Sequence, residues 1–125
     1  MSQVIKTANA PAAIGPYSQA ILAGNTLYVS GQIPFVPATM TIAGPDIASQ
    51  TKQSLANIRA IVEEAGFRIT DIVRCTVFLL DLNDFAAMNA EYAAFFGDHK
   101  PARAAVQVAR LPKDSRIEID AVCVR

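Results

Sequence analysis

Ile72-Val73-Arg74-Cys75-Thr76-Val77-Phe78-Leu79-Leu80 is a β-branched and apolar run broken only by Arg74 and Thr76. Such a run suits a central strand covered on both faces. The segments on either side of it are helical. Upstream, Asp46 is a candidate N-cap, and Leu55, Ile58, Val62 and Ala65 recur at the spacing of one helix face before Gly66 closes it. Downstream, Phe85, Met88, Tyr92 and Phe95 repeat that spacing, with Gly97 and Pro101 ending the second helix. Further out lie shorter strands. Val4 to Thr7 is a first one, followed by an irregular loop holding Asn9, Pro11, Gly15 and Pro16. Ser18 to Ala23 and Leu27 to Gly31 flank Gly24-Asn25, a tight-turn signal that predicts a hairpin, and Pro34, Pro37, Gly44 and Pro45 mark the loop after it. Ala104 to Ala109 and Arg116 to Val124 finish the chain.

The order is therefore β-β-β-α-β-α-β-β, six strands and two helices. Two helices are too few to cover both faces of a sheet, so both are expected on one face, a two-layer α+β sandwich. The 125 residues predict one domain, residues 1–125, with one core. Hydrophobic residues make up 52% of the chain, and the eleven Lys plus Arg balance eleven Asp plus Glu. Zero net charge with a single histidine, His99, argues against a general nucleic-acid surface, because phosphate binding needs concentrated cations. The surplus apolar residues point instead to self-association, with another copy covering the sheet face that the helices leave open. No apolar run is long enough to span a bilayer, and Met1 to Ala10 has no stretch like a signal peptide, so a cytoplasmic protein is expected. Cys75 and Cys123 sit inside β-type runs, as buried free thiols of reducing compartments do. They lack CxxC spacing, and with one histidine available no metal is expected.

The unusual polar residues lie in the last strands. Alternation in Ile117-Glu118-Ile119-Asp120-Ala121-Val122-Cys123-Val124 puts Glu118 on one face with Asp120, Val122 and Val124. It reads either as a carboxylate on a solvated face or as one in an apolar interface pocket, where desolvation suits it to acid/base work. Arg103 opens the preceding strand, sharing a face with Ala105, Gln107 and Ala109, and reads either as half of an ion pair or as a clamp for a substrate carboxylate. If the two strands formed a simple hairpin about Lys113, Arg103 and Glu118 would be offset by about 16 Å at 3.3 Å per residue, too far for one small ligand. Either the strands pair differently, or the two groups meet across a chain–chain interface, or they are unrelated. Tyr17, in Gly15-Pro16-Tyr17-Ser18, reads as a cap on the core before a pocket residue. Ser30-Gly31 suits a bulge or close ligand approach, Asn89 reads as a solvated or helix-packing amide, and His99 as a surface residue.

Taken together, Asn9-Ala10-Pro11-Ala12-Ala13-Ile14-Gly15-Pro16-Tyr17-Ser18, Val29-Ser30-Gly31-Gln32-Ile33-Pro34, Pro101-Ala102-Arg103-Ala104-Ala105-Val106 and Ile117-Glu118-Ile119 resemble the signatures of the RidA/YjgF family, the reactive enamine/imine deaminases. The resemblance runs over essentially the whole chain. It implies a chorismate-mutase-like α+β subunit with a six-stranded mixed sheet, assembled as a homotrimer with ligand pockets between neighbouring subunits. By this resemblance Arg103 matches the arginine that holds the substrate carboxylate and Glu118 the glutamate that positions or activates water, while Tyr17, Ser30, Gly31 and Asn89 match pocket-lining positions. Ala105 stands where many relatives have Cys or Thr and the backbone makes the contact. The Phe96 to Pro101 connection is shorter than in some relatives, which leaves the pocket rim, and with it substrate preference, open.

The implied activity is cofactor-free hydrolysis of imines such as those from 2-aminoacrylate or 2-aminocrotonate to 2-keto acids and ammonia. A sensor or interaction protein that binds small carboxylates without turnover is the alternative from another class. The ribonuclease and translation-inhibitor labels that the resemblance also brings are disfavoured by the neutral charge and the isolated His99.

Overall fold

The computed structural model describes residues 2–125. Its strands are β1 (Ser2–Ile5), β2 (Ala20–Ala23), β3 (Thr26–Gln32), β4 (Phe35–Val36), β5 (Thr41–Ile42), β6 (Ile72–Leu79), β7 (Ala102–Gln107) and β8 (Ile117–Val124), and its helices are α1 (Ile47–Glu64) and α2 (Phe85–Phe96). Six strands form one mixed sheet in the order β1-β2-β3-β8-β6-β7, and only β6 and β7 run parallel. The small β4–β5 ribbon lies in the stretch expected to be loop. Local signals act as expected: Gly24, at φ 61°, turns the β2–β3 hairpin, and the Asp46 carboxylate accepts the Ser49 N–H at 2.9 Å to cap α1. Gly66 and Gly97, at φ 82° and 61°, follow the two helices.

The helices explain the strand order. A parallel neighbour needs a crossover, and α2 supplies it between β6 and β7. Helix α1 likewise carries the chain from β3 to β6, leaving a gap one strand wide that β8 enters antiparallel to both. The hairpin of the last two strands is therefore not formed. Ile117, Ile119, Ala121 and Cys123, each no more than 2% exposed, give β8 a core face as fully buried as that of β6, and it takes the place between β3 and β6. The strand expected at Ala104 to Ala109 begins earlier, at Ala102, because Arg103 pairs directly with Cys75.

Helix α1 packs on β8 and β3, α2 packs on α1, and both share one core with the sheet. In β6 only Ile72, Cys75, Val77 and Leu79 are buried, whereas Val73 and Arg74 are exposed. The expectation of cover on both faces thus fails for the single chain, since its two helices occupy one face. The opposite face carries exposed Tyr28, Val106 and Val124.

Within the core, the hydroxyls of Thr51 and Ser54 on α1 are fully buried without a hydrogen-bond partner. A desolvated hydroxyl left unpaired costs about 1–3 kcal/mol. Replacing Thr51 by Val, which has the same shape, is expected to raise stability by about 1 kcal/mol, measured as a higher denaturation midpoint at unchanged m-value. A lower midpoint would show that the hydroxyl is bonded after all.

Candidate active site

Arg103 lies on the edge strand β7, and one face of α2 holds it. Phe85, Asn89 and Tyr92 follow one another at i, i+4 and i+7 on that helix. The guanidinium carbon stands 4.8 Å from the Tyr92 ring centroid and 5.5 Å from that of Phe85, and Nη1 donates to Asn89 Oδ1 at 2.6 Å. Asn89 is therefore no solvated amide but the residue that fixes the guanidinium. Among the described residues Arg103 makes no ion pair, so the ion-pair reading fails and its remaining N–H donors stay open. They border a cavity of about 470 Å³ whose wall includes Asn89, Tyr92, Phe96, Lys100 and Arg103.

Two further features complete this side. Val108 N–H donates to the Leu79 carbonyl at 2.9 Å. The two-residue period of the ladder then turns the N–H groups of Ala104 and Val106 toward β6 and those of Arg103 and Ala105 to the free edge. Ala105 thus offers a backbone donor beside the Arg103 side chain, whatever side chain it bears. His99, expected at the surface, is half-buried, with Nε2 2.7 Å from the Ile72 carbonyl oxygen. The short connection after α2 folds it back onto the start of β6.

Glu118 lies on the other face of the sheet. It pairs with Phe78 on β6 and is half-buried rather than freely solvated. Burial, and secondly the charge of Asp120, push its carboxyl above the usual carboxylate range. Its seat is a bulge of β3, where the register shifts between Val29 and Gln32. A Cβ on Gly31 would come within 2.8 Å of the Glu118 carboxyl carbon, so only glycine lets the acid lie against this backbone.

Ser30, in the same bulge, donates its hydroxyl to the Ser18 carbonyl at 2.6 Å, and its N–H goes to the Gln19 carbonyl at 3.0 Å. Tyr17 is 49% exposed, which overturns its reading as a core cap, and it borders a second cavity of about 500 Å³ with Lys6, Ala13 and Met40. The loop carrying Tyr17 is held by buried Gln19, whose side chain bonds Thr7, Ala10 and Pro11. Sequence reasoning missed Gln19, and the only available signal was an amide inside the apolar run from Ser18 to Ala23.

The structure thus brings Arg103, Asn89 and Ala105 together on one side, and Glu118, Gly31 and Ser30 on the other. Arg103 pairs with Cys75, which pairs with Ala121 on the helix-covered face. Two strand spacings and three residues separate Arg103 from Glu118, about 14 Å between Cα atoms at 4.8 Å and 3.3 Å per step. Within one chain the two groups point away from each other through the sheet. The cysteines take no part: burial pushes the Cys75 thiol to about 11 and Cys123 to about 12, and both are free and buried.

The family Endoribonuclease L-PSP matches residues 7–125. The chain is 56% identical to the 2-iminobutanoate/2-iminopropanoate deaminase of Escherichia coli K12, over all of this chain and 99% of that protein. The crystal structure of the E. coli YjgF gene product superimposes with a TM-score of 0.95 at 56% identity, covering 98% of each chain. E. coli TdcF with bound serine does so with a TM-score of 0.95 at 48% identity, again covering 98% of each. With the family matched across nearly the whole chain, and the fold and sequence shared with its solved members, this protein belongs to the Endoribonuclease L-PSP family, which is the YjgF/RidA family.

Proposed function

We propose that this protein hydrolyses the imines of small 2-amino acids, of the 2-iminopropanoate and 2-iminobutanoate type, to 2-keto acids and ammonia. The observation that carries this reading is the 56% end-to-end identity with a deaminase of that substrate class. The site chemistry agrees with it. An unpaired guanidinium braced by Asn89 and two rings is a preorganised clamp for an α-carboxylate, and the Ala105 N–H adds a second donor at the same edge. A relative at 48% identity binds serine, a molecule with such a carboxylate. Glu118 holds the water that attacks the C=N carbon and passes a proton to the nitrogen as ammonia leaves. Water supplies the carbonyl oxygen and two protons, which balances the reaction without a cofactor.

Because Arg103 and Glu118 lie on opposite faces of one sheet, we propose that they meet between copies, the Arg103 side of one against the Glu118 side of the next. Tyr28, 53% exposed, and Val106, 42% exposed, give that outer face apolar area to bury. A contact joining two different surfaces is not a two-fold dimer contact and gives a ring where its rotation closes, and the expected ring is a homotrimer with three pockets. Tyr17, Ser30 and Gly31 then line the Glu118 half and Asn89 and Ala105 the Arg103 half. We place the protein in the cytoplasm, where its two free thiols stay reduced.

The test is ammonia release from freshly generated 2-aminoacrylate, together with mass in solution by sedimentation. Accelerated release by a particle of three 13.4 kDa chains is expected. No acceleration over buffer would refute the deaminase, and a monomer would refute the shared pocket. Ribonuclease chemistry is disfavoured, because His99 bonds the Ile72 carbonyl and no second histidine exists to complete an acid/base pair.

A further inference from the structure

Asp120 is a second carboxylate close to the proposed acid/base group. It shares the outer face of β8 with Glu118, two residues away or about 7 Å along the strand. Its carboxylate is immobilised, since Oδ1 accepts the Thr76 backbone N–H at 2.9 Å. Among the described residues it enters none of the ion pairs, which join Lys52 to Glu91, Arg110 to Asp114 and Arg116 to Asp84. Other charge near Glu118 is sparse. From β6 the exposed Arg74, opposite Val122, stands two rows from Glu118 and one row from Asp120, without an ion pair to either; β3 offers only the Tyr28 phenol; and β7 presents Ala102, Ala104 and Val106. Asp120 is thus a fixed carboxylate outside any ion pair, beside the proposed acid/base group.

We propose that Asp120 is a positioning residue for the reaction, one that touches no substrate and sets how firmly Glu118 holds its proton. This rests on the reading of Glu118 given above. A neighbouring anion disfavours the ionised form of Glu118, adding to the effect of burial. A carboxyl group that keeps its proton closer to neutrality is a better donor to the departing nitrogen, while still able to hold water when ionised.

Asp120→Asn tests this cleanly, because the amide oxygen still accepts the Thr76 N–H while the charge is gone. The limb of the kcat/KM pH profile that disappears in Glu118→Gln is expected to move to lower pH in Asp120→Asn, because removing a like charge about 7 Å away along the strand favours the ionised carboxylate. KM and mass in solution should stay as in the wild type, and Asp120→Glu, which restores the charge, should return the limb toward its original place. An unmoved limb, or one that moves up, overturns the proposal, as does dissociation of the assembly in Asp120→Asn while Asp120→Glu stays assembled. Should Glu118→Gln keep full activity with every limb intact, the role of Glu118 itself fails, a result that the Asp120 variants alone cannot produce.

Discussion

Arg103→Ala is expected to abolish turnover of 2-aminoacrylate, lowering kcat/KM by about a thousandfold, while the assembly keeps its mass. Removing a charged, bidentate partner from a substrate carboxylate costs about 4 kcal/mol, which is about three factors of ten in rate. The effect is confined to the site for structural reasons. Arg103 is half-buried on an edge strand, its hydrogen-bond partner Asn89 faces the same open cavity, and Tyr92, the core ring against its guanidinium, also packs on Phe96 with centroids 4.7 Å apart. Arg103→Lys should recover little. A lysine has a single ammonium where the guanidinium bonds Asn89 and stacks between Tyr92 and Phe85 while keeping further N–H groups free. Steady-state ammonia release at several substrate concentrations measures both variants. Wild-type kcat/KM in Arg103→Ala would remove this residue from the mechanism.

Glu118→Gln is expected to lower kcat by about a hundredfold, the scale of one acid/base group, with binding of the product analogue 2-ketobutyrate retained. Gln keeps the shape and fills the seat against Gly31, so the change isolates proton transfer. The pH dependence has a definite sign. The Glu118 carboxyl titrates above the usual carboxylate range; as pH falls through that raised value the group is protonated and can no longer activate water. Wild-type activity should decline on that side, and the decline should be missing from the residual activity of Glu118→Gln. Gly31→Ala should approach the same loss by another route, because the added methyl occupies the place of the carboxylate. If neither wild type nor Glu118→Gln turns over substrate while both bind 2-ketobutyrate, the protein is a sensor of small carboxylates.

Much of the secondary structure is legible from residue patterns because its causes are local. The i, i+3, i+7 spacing of Leu55, Ile58 and Val62, the Asp46 cap and the Gly24-Asn25 turn each depend on residues within a turn or two of one another. The chemistry of the site was half legible. Arg103 and Glu118 stand out as charged residues in otherwise apolar strands, but nothing local tells an Arg in an ion pair from an Arg braced by Asn89, because that contact spans a helix and a strand. Gln19 was invisible for the same reason: its partners Thr7, Ala10 and Pro11 come together only when the loop closes on it.

By itself, then, the sequence determined the six strands and two helices, the family signatures and the two charged residues of interest, since backbone periodicity and side-chain chemistry are written residue by residue. Tertiary structure alone decided which strands became neighbours. Strand β8 went between β3 and β6 because the α1 crossover left an antiparallel place there, and β7 lies at the edge, joined parallel to β6 by the α2 crossover. That order carries the decisive consequence for function. Strand parity within the finished sheet turns Arg103 toward the helices and Glu118 away from them, and no reading of either strand in isolation supplies the register that links the two.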